Sequence, residues 1–505
     1  MKKTLISFAA LVCCAALFTS CKEDEKATSD GKAELLSFGF YSADNSGVLS
    51  EDYVAEVSED IVIRLPESAD KKALVAKFTL GEGDALILDG KTIKSGVTAV
   101  DYSYPADFIV KDTIDNVSTS FTVTVGKILQ FKWAQVAQYN DEQPAGTKLM
   151  IDDFDMTLSQ KDNKPYFIVS SEETSPDLEQ ARVGYLDESG LVMGSYMSTD
   201  AEGTAIAASY PKVAVDADGK VYGYYYNTTA KKNYVKTGSG SSWSFVGAPF
   251  GEAKVSSVDF NLDPISKKPL VAYMSNSTIT GVITRRDVDL CYYDGNAWSS
   301  ENLLPEGLSG NKNYWPTIKV VNGSLYLVGT NQTEPGAYFV LKYNGAQGWT
   351  KLINALPAGV TQSTIFGMSF DVASDGTVYI FTGGDEDEAG NWKMSVYKTS
   401  SDFKSWERVS TAVCASNKYF TMALCKDSPV VIYKDSETSL GMVVTLNAET
   451  LAWNEPVAIS QTPVSTKGMC LEFTKDGIGY FSTVSSGDIN SLLIFKYSLE
   501  ADDLE

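Results

Sequence analysis

Ser374-Asp375-Gly376-Thr377-Val378-Tyr379 is the stretch from which the fold of this chain is read. An Asp-Gly pair stands there between two apolar runs, and such a pair suits a type I′ turn, whose two central residues both need positive φ. Turns of the same kind recur at Asp162-Asn163, Asp218-Gly219, Ser266-Lys267, Asn322-Gly323, Asp427-Ser428 and Asp476-Gly477, at steps of 48 to 56 residues. Self-similarity at a steady period marks a repeat architecture. A second mark is a tryptophan opening a later strand: Trp243, Trp298, Trp349, Trp406 and Trp453, each after a turn-rich stretch such as Tyr293-Asp294-Gly295-Asn296-Ala297. The first repeat carries Met193-Gly194 in that place. Each unit reads strand, tight turn, strand, longer loop, strand, turn, strand, and four antiparallel strands in roughly 50 residues are the sheet of a propeller blade.

The ends of the repeat region predict how it closes. After the seventh turn comes one more strand, Leu492 to Tyr497, and no tryptophan strand. Ahead of the first repeat stands an orphan strand, Phe131-Lys132-Trp133-Ala134-Gln135-Val136. Placing that orphan in the last sheet leaves no open end. Residues 128–498 are therefore expected to form a seven-bladed β-propeller closed by three strands from one end of the region and one from the other, with an acidic tail at 499–505. In layout the repeats resemble kelch and BNR-type propellers, but without their tight motifs. The Asp box, Ser-x-Asp-x-Gly-x-x-Trp, is compressed at Ser374–Tyr379 and ends in tyrosine, and the kelch double glycine occurs only at Gly383-Gly384.

Residues 33–126 alternate apolar and polar side chains with period two, as in Leu36–Phe40, Ile61–Leu65, Leu74–Phe78 and Phe121–Val125. That pattern, with a turn at Asp89-Gly90, predicts a small β-sandwich. Its opening Leu-Ser-Phe-Gly-Phe and closing Phe-Thr-Val-Thr-Val resemble bacterial immunoglobulin-like domains, which implies a spacer role. The whole fold is expected to be all-β.

Lys2 and Lys3 precede an apolar run from Leu5 to Phe18, too short to span a bilayer and shaped like a secretory signal over residues 1–20. The run ends in Leu17-Phe18-Thr19-Ser20-Cys21, which resembles the lipobox of bacterial lipoproteins and implies a lipidated Cys21. Residues 21–32 then form a tether, and Lys22-Glu23-Asp24-Glu25 resembles a surface-export tag. The expected location is the outer membrane, with the chain anchored at the cell surface through its lipid and its bulk outside the bilayer.

The formal charge is −23, and removing Lys2 and Lys3 with the signal makes it more negative by two. Such a surface repels nucleic acid, which is not an expected partner. There is no histidine. That excludes Ser-His-Asp and Cys-His catalysis, histidine-ligated zinc and histidine-based pH switching. Cys291, Cys414, Cys425 and Cys470 match no metal-binding spacing, and Cys425 and Cys470, on equivalent strands of neighbouring repeats, are read as buried side chains and not a bridge. No cofactor is expected.

Candidate ligand-binding residues are the aromatics where each repeat begins: Tyr210, Tyr314, Trp315, Phe366 and Tyr419. Their flat faces suit stacking on sugar rings; the competing role is packing between sheets. Arg285 and Arg286 are candidates for clasping an anionic group. Asp385 and Asp387 are candidate calcium ligands, against the plainer role of a solvated loop. Asp152, Asp153 and Asp155 open the first repeat, but in so acidic a chain a carboxylate pair is expected by chance. No catalytic residue is assigned. The expected role is non-catalytic binding of an extracellular glycan or protein, with a carboxylate-based glycoside hydrolase or lyase as the alternative. Cells fed a labelled fatty acid should label the wild-type chain and not Cys21→Ser; equal labelling of both would overturn the lipobox reading.

Overall fold

The computed structural model describes residues 32–500, apart from 140–150, 172–177, 240, 252–253, 280–281, 303–312, 332–335, 344–347, 361–367, 387–391, 416–418 and 488–489. Among these residues the chain is all-β, with one 3-10 turn, Lys71–Ala73, as its helical element. Cys21, the signal run, Phe366 and Asp387 lie outside the described residues. No described helix is long and apolar enough to cross a membrane.

The chain divides into two compact units: one up to Gln130 together with 499–505, the other Phe131–Ser498. In the first, two sheets enclose one apolar core. The four-stranded sheet contains Leu35–Phe40 paired antiparallel with Tyr53–Ala55 and Leu74–Leu80. The five-stranded sheet contains Ser118–Lys127, antiparallel to Ala106–Asp112 and parallel to Asp60–Leu65. Phe38, Phe40, Tyr102 and Phe108 meet in the core, with the Phe40 and Tyr102 rings 5.0 Å apart edge-to-face. Alternation along each strand supplies these residues, since every second side chain faces the opposite sheet.

Among the described residues the second unit is a succession of seven sheets: six are simple four-stranded meanders, the fifth of them gaining Cys414–Ala415, and the seventh draws one strand from upstream. Their first strands are Ile151–Leu158, Ser209–Val215, Lys254–Leu262, Asn313–Val321, Met368–Val372, Phe420–Cys425 and Val464–Phe473. Each first strand contacts the next in order, and the seventh contacts the first. Many four-stranded sheets stacked in this way have the architecture of a β-propeller. The last sheet takes its fourth strand from far upstream: Phe131–Tyr139 pairs with Leu492–Leu499. Trp133 rests 5.2 Å from the Tyr497 ring and 6.2 Å from Phe473.

The tight turns vary more than the repeat suggests. Asn322-Gly323 has positive φ at both residues, as a two-residue turn between paired strands requires. In the sixth sheet Cys425 pairs with Ser428, so the turn is Lys426-Asp427, one residue earlier than the sequence spacing implies. At Asp218-Gly219, Asp375-Gly376 and Asp476-Gly477 only the glycine has positive φ. Side chains cap these loops: Asp216 accepts from Asp218 N and Lys220 N, Asp375 from Thr377 N at 2.8 Å, and the Thr474 hydroxyl from Ile478 N at 3.1 Å.

The tryptophans staple one sheet to the previous one. Trp243 Nε1 donates to Ser195 O (3.3 Å), Trp298 Nε1 to Val246 O (2.7 Å), Trp406 Nε1 to Ala355 O (3.0 Å) and Trp453 Nε1 to Thr411 O (2.8 Å). Trp349 Nε1 donates instead to the Tyr292 hydroxyl at 3.1 Å. Four of these residues open a fourth strand, whereas Trp453 makes an isolated bridge with Leu446 ahead of the short strand Val457–Ala458. Trp298→Phe keeps the ring and removes the donor. It should lower unfolding free energy in urea by about 1–3 kcal/mol, and an unchanged midpoint would contradict the staple.

Candidate functional site

Six of the seven first strands carry one charged residue flanked by apolar neighbours: Asp155, Lys212, Asp259, Lys319, Asp371 and Glu472. The sixth strand, Phe420–Cys425, has only uncharged residues. These charges meet at the centre of the sheet succession. Lys212 Nζ lies 3.3 Å from Asp155 and 3.9 Å from Asp259, joining the first three sheets. Lys319 Nζ lies 3.0 Å from Asp371 and 3.6 Å from Glu472. Glu472 belongs to the seventh sheet and Lys319 to the fourth, so this second lysine reaches across the axis.

The carboxylates also tie strands that share no ladder. Asp155 accepts from Val213 N (3.1 Å), Asp259 from Ile318 N (2.8 Å) and Asp371 from Leu424 N (2.9 Å). Each bond crosses from one sheet to the next. The side chains are largely buried, with Lys212 24% and Asp155 16% exposed. Burial alone disfavours the Lys212 ammonium, but Asp155 and then Asp259 outweigh it and hold it above the lysine range. Lys319 is raised in the same way against its burial by Asp371 and Glu472. Burial pushes the Asp259 carboxyl up to about 6 despite Lys212, and Glu472 is also raised by burial.

One step toward the start of each strand lies a second layer, on the face of the axial charge except at Tyr210, where the register shift between Ser209 and Lys212 and a positive φ interrupt the alternation. Asp153, Tyr210, Ser257, Thr317, Ser369 and Cys470 each precede an axial charge by two residues, and all are half-buried. This layer lies toward the end where the first strands begin, away from the tight turns. Ladders shift register there, between Ile151 and Asp153, Ser209 and Lys212, Val255 and Ser257, and Tyr314 and Thr317. Such bulges re-aim side chains at sheet rims. Ser369 Oγ is held by Met422 of the next sheet, accepting from its N at 2.9 Å and donating to its O at 3.1 Å. Asp153 differs from the other axial carboxylates: it accepts from the adjacent Phe154 N at 2.9 Å, and among the described residues it makes no hydrogen bond to another sheet. Burial first, and the neighbouring Asp155 in addition, push it up to about 6 against the pull of Lys212 and Lys467. The second layer thus sets hydroxyls, one thiol and one carboxyl next to the ion pairs.

The aromatic candidates occupy varied places. Tyr210 has φ 54°, packs 6.5 Å from the Tyr226 ring and feels the Asp153 charge. Trp315 has φ 50° and lies half-buried against the core of the fourth and fifth sheets. Tyr419 precedes the sixth first strand, with Lys434 Nζ 5.9 Å from its ring centre. Tyr314 pairs with Thr330 in its ladder, Arg285 with Ser277, Arg286 with Asn276 and Asp385 with Lys393. The side chains of these four lie outside the described residues. Among the described residues no acidic or thiol cluster could hold a metal ion, and the four cysteines beyond the tether are unbridged. The sequence reading missed Lys212, Asp259, Lys319, Asp371 and Glu472. Their signal was present in runs such as Val258-Asp259-Phe260 and Leu471-Glu472-Phe473, where one charge interrupts an apolar strand.

No family model and no curated protein matches the chain. Solved structures it is similar to include a DUF4623 family protein from Bacteroides eggerthii, at 10% identity over 94% of this chain and 100% of that one, with a TM-score of 0.37. Another is the α-L-arabinofuranosidase Arb93A of Fusarium graminearum, at 13% identity over 72% and 97%, with a TM-score of 0.41. A third is the six-bladed fucose-recognising lectin of Aleuria aurantia, at 12% identity over 58% and 94%, with a TM-score of 0.38.

The folded protein holds the Asp153 proton more tightly than an unfolded chain does. That contribution to stability is complete below about pH 4 and is lost as pH rises through about 6. Asp153→Asn should therefore gain on the wild type between pH 4.5 and 7.5, by about 2 kcal/mol in urea unfolding; an equal difference at both pH values would contradict the burial of this carboxyl. Lys212→Met leaves two buried carboxylates facing each other and should cost about 3–5 kcal/mol at pH 7.5.

Proposed function

We propose that this chain is a lipid-anchored cell-surface binding protein. Cys21 carries the anchor, residues 33–126 form an immunoglobulin-like spacer, and residues 128–498 form a seven-bladed propeller closed three-plus-one. The axial face of that propeller, at the end where the first strands begin, takes a glycan without cleaving it. The observation that carries this reading is the engagement of the axial carboxylates. The Asp155 and Asp259 oxygens both lie against Lys212, so their separation is no more than the two contact distances end to end. That bound admits the separation of a glycosidase pair. The ammonium, however, fills the space where a glycosidic oxygen would have to lie, and each carboxylate is also bound by a backbone N–H of the next sheet. Groups fixed in this way serve as struts. The second layer offers the Ser257 and Thr317 hydroxyls, which match the hydrogen-bonding groups of sugars.

Hydrolysis is the second reading, favoured by Asp153, whose carboxyl is not tied to another sheet and is raised toward the range of a general acid. Affinity electrophoresis on polysaccharide gels, followed by a reducing-end assay of the same mixtures, separates the two. Retardation on at least one glycan without new reducing ends is expected. Release of reducing ends that Asp153→Asn abolishes would favour the hydrolase, and no retardation on any glycan would remove the sugar reading in favour of a protein partner.

A further inference from the structure

We propose that a crevice between the fourth and fifth sheets, at the tight-turn end of the propeller unit, binds one residue of a neutral saccharide. It lies at the opposite end of the first strands from the axial face and stands independently of that reading. Its volume is about 140 Å³, below the roughly 300 Å³ at which pockets for larger ligands begin, which suits a single sugar ring. Asn322, Ser324, Tyr326 and Lys342 line it from the fourth sheet, and Asp375 and Gly376 from the turn of the fifth.

The first observation is the gap itself. Where the fifth sheet meets the sixth, the turns touch: Asp427 accepts from Ser374 N at 2.7 Å and from the Ser374 hydroxyl. Lys161 Nζ likewise reaches from the first turn to Asp218 O on the second, at 3.0 Å. Between the fourth and fifth sheets, Asp375 turns back on its own loop to accept from Thr377 N at 2.8 Å. Gly376 beside it has a φ of 90° and no side chain to fill the space, and a Cβ there would stand 3.7 Å from the Tyr326 hydroxyl.

The second observation is Tyr326. It is only 3% exposed, yet among the described residues its hydroxyl, at the crevice, makes no hydrogen bond. A phenol so buried ordinarily has a partner. The third is charge. Lys342 Nζ sits 5.4 Å from the Tyr326 ring centre, and among the described residues no ion pair joins it to Asp375 or to another carboxylate. Cross-strand tyrosine–lysine pairs recur at Tyr379–Lys398 and Tyr480–Lys496, so the pair alone is a feature of the sheets. What carries the proposal is that pair together with an open space and a carboxylate across it.

A cation and a carboxylate that face one small space without meeting select its occupant. An anion gains from Lys342 and loses to Asp375, and a cation does the reverse. A neutral polyol satisfies both: one hydroxyl accepts from the ammonium and its neighbour donates to the carboxylate. The Tyr326 and Ser324 hydroxyls and the Asn322 amide then serve the remaining groups of the ring.

The test is saturation-transfer NMR on the full chain with the methyl glycosides of glucose, galactose, mannose, fucose, xylose and arabinose, beside methyl glucuronide and glucosamine as charged counterparts. Transfer to at least one neutral glycoside is expected, and weaker transfer to the charged pair. For that glycoside, Tyr326→Phe, which keeps the ring, should raise Kd about three- to tenfold, and Lys342→Gln about tenfold. The same sugar should slow acetylation of Lys342 by acetic anhydride in the wild type, read by mass spectrometry. Any one of three results overturns the proposal: no transfer to a neutral glycoside, tighter binding of a charged counterpart than of every neutral one, or Lys342 acetylated at the same rate with and without the bound sugar. Affinity unchanged in both folded variants overturns it too, and places the sugar elsewhere on the chain.

Discussion

The pairing of Phe131–Tyr139 with Leu492–Leu499 is the constraint on which the larger unit depends. Each sheet of a propeller buries its faces against its two neighbours, so a row of sheets left open would expose two apolar faces. Here the last sheet is completed by a strand contributed more than 350 residues upstream in the sequence. The aromatic cluster of Phe131, Trp133, Phe473 and Tyr497 fixes that strand in place. Once the seventh first strand meets the first, the axial charges converge; without closure Lys319 and Glu472 would have no reason to meet.

Two interaction systems then act at different radii. At the periphery, each indole N–H binds a carbonyl or hydroxyl of the previous sheet, so neighbouring outer strands are registered to one another. At the axis, first strands without shared ladders are joined by carboxylates accepting backbone N–H groups and by lysines shared between two acids. Buried ions are costly unless paired and hydrogen-bonded, and this arrangement does both. Asp153, Ser257, Thr317, Ser369 and Cys470, two positions along their strands, share the face of the ion pairs, so both layers are built from one alternation.

Much of this was legible in the sequence. Asp-Gly and Asn-Gly turns, and the tryptophans that follow them, are local signals written in a few residues, and the orphan strand at Phe131 was visible because it had no repeat of its own. Finer detail was not local. Lys426-Asp427 takes the sixth turn because Cys425 pairs with Ser428, and only the strand register decides that. Tyr210 and Trp315 were visible as aromatics, but their inward packing depends on the neighbouring sheets. The axial charges were visible one at a time as interruptions of apolar strands. That Asp155, Lys212 and Asp259 form one group depends on three strands each about fifty residues apart, and no local pattern connects them.

Closure is tested most directly by native-state hydrogen exchange resolved to single strands. If the ring is sealed as described, the ladder amides of Phe131–Tyr139 that pair with Leu492–Leu499 exchange only with the global opening of the propeller unit, and respond to denaturant with the same slope as their partners. Rapid, denaturant-independent exchange along 131–139 while 492–499 stays protected would show that this strand does not complete the seventh sheet, and the convergence of the axial charges would lose its basis with it.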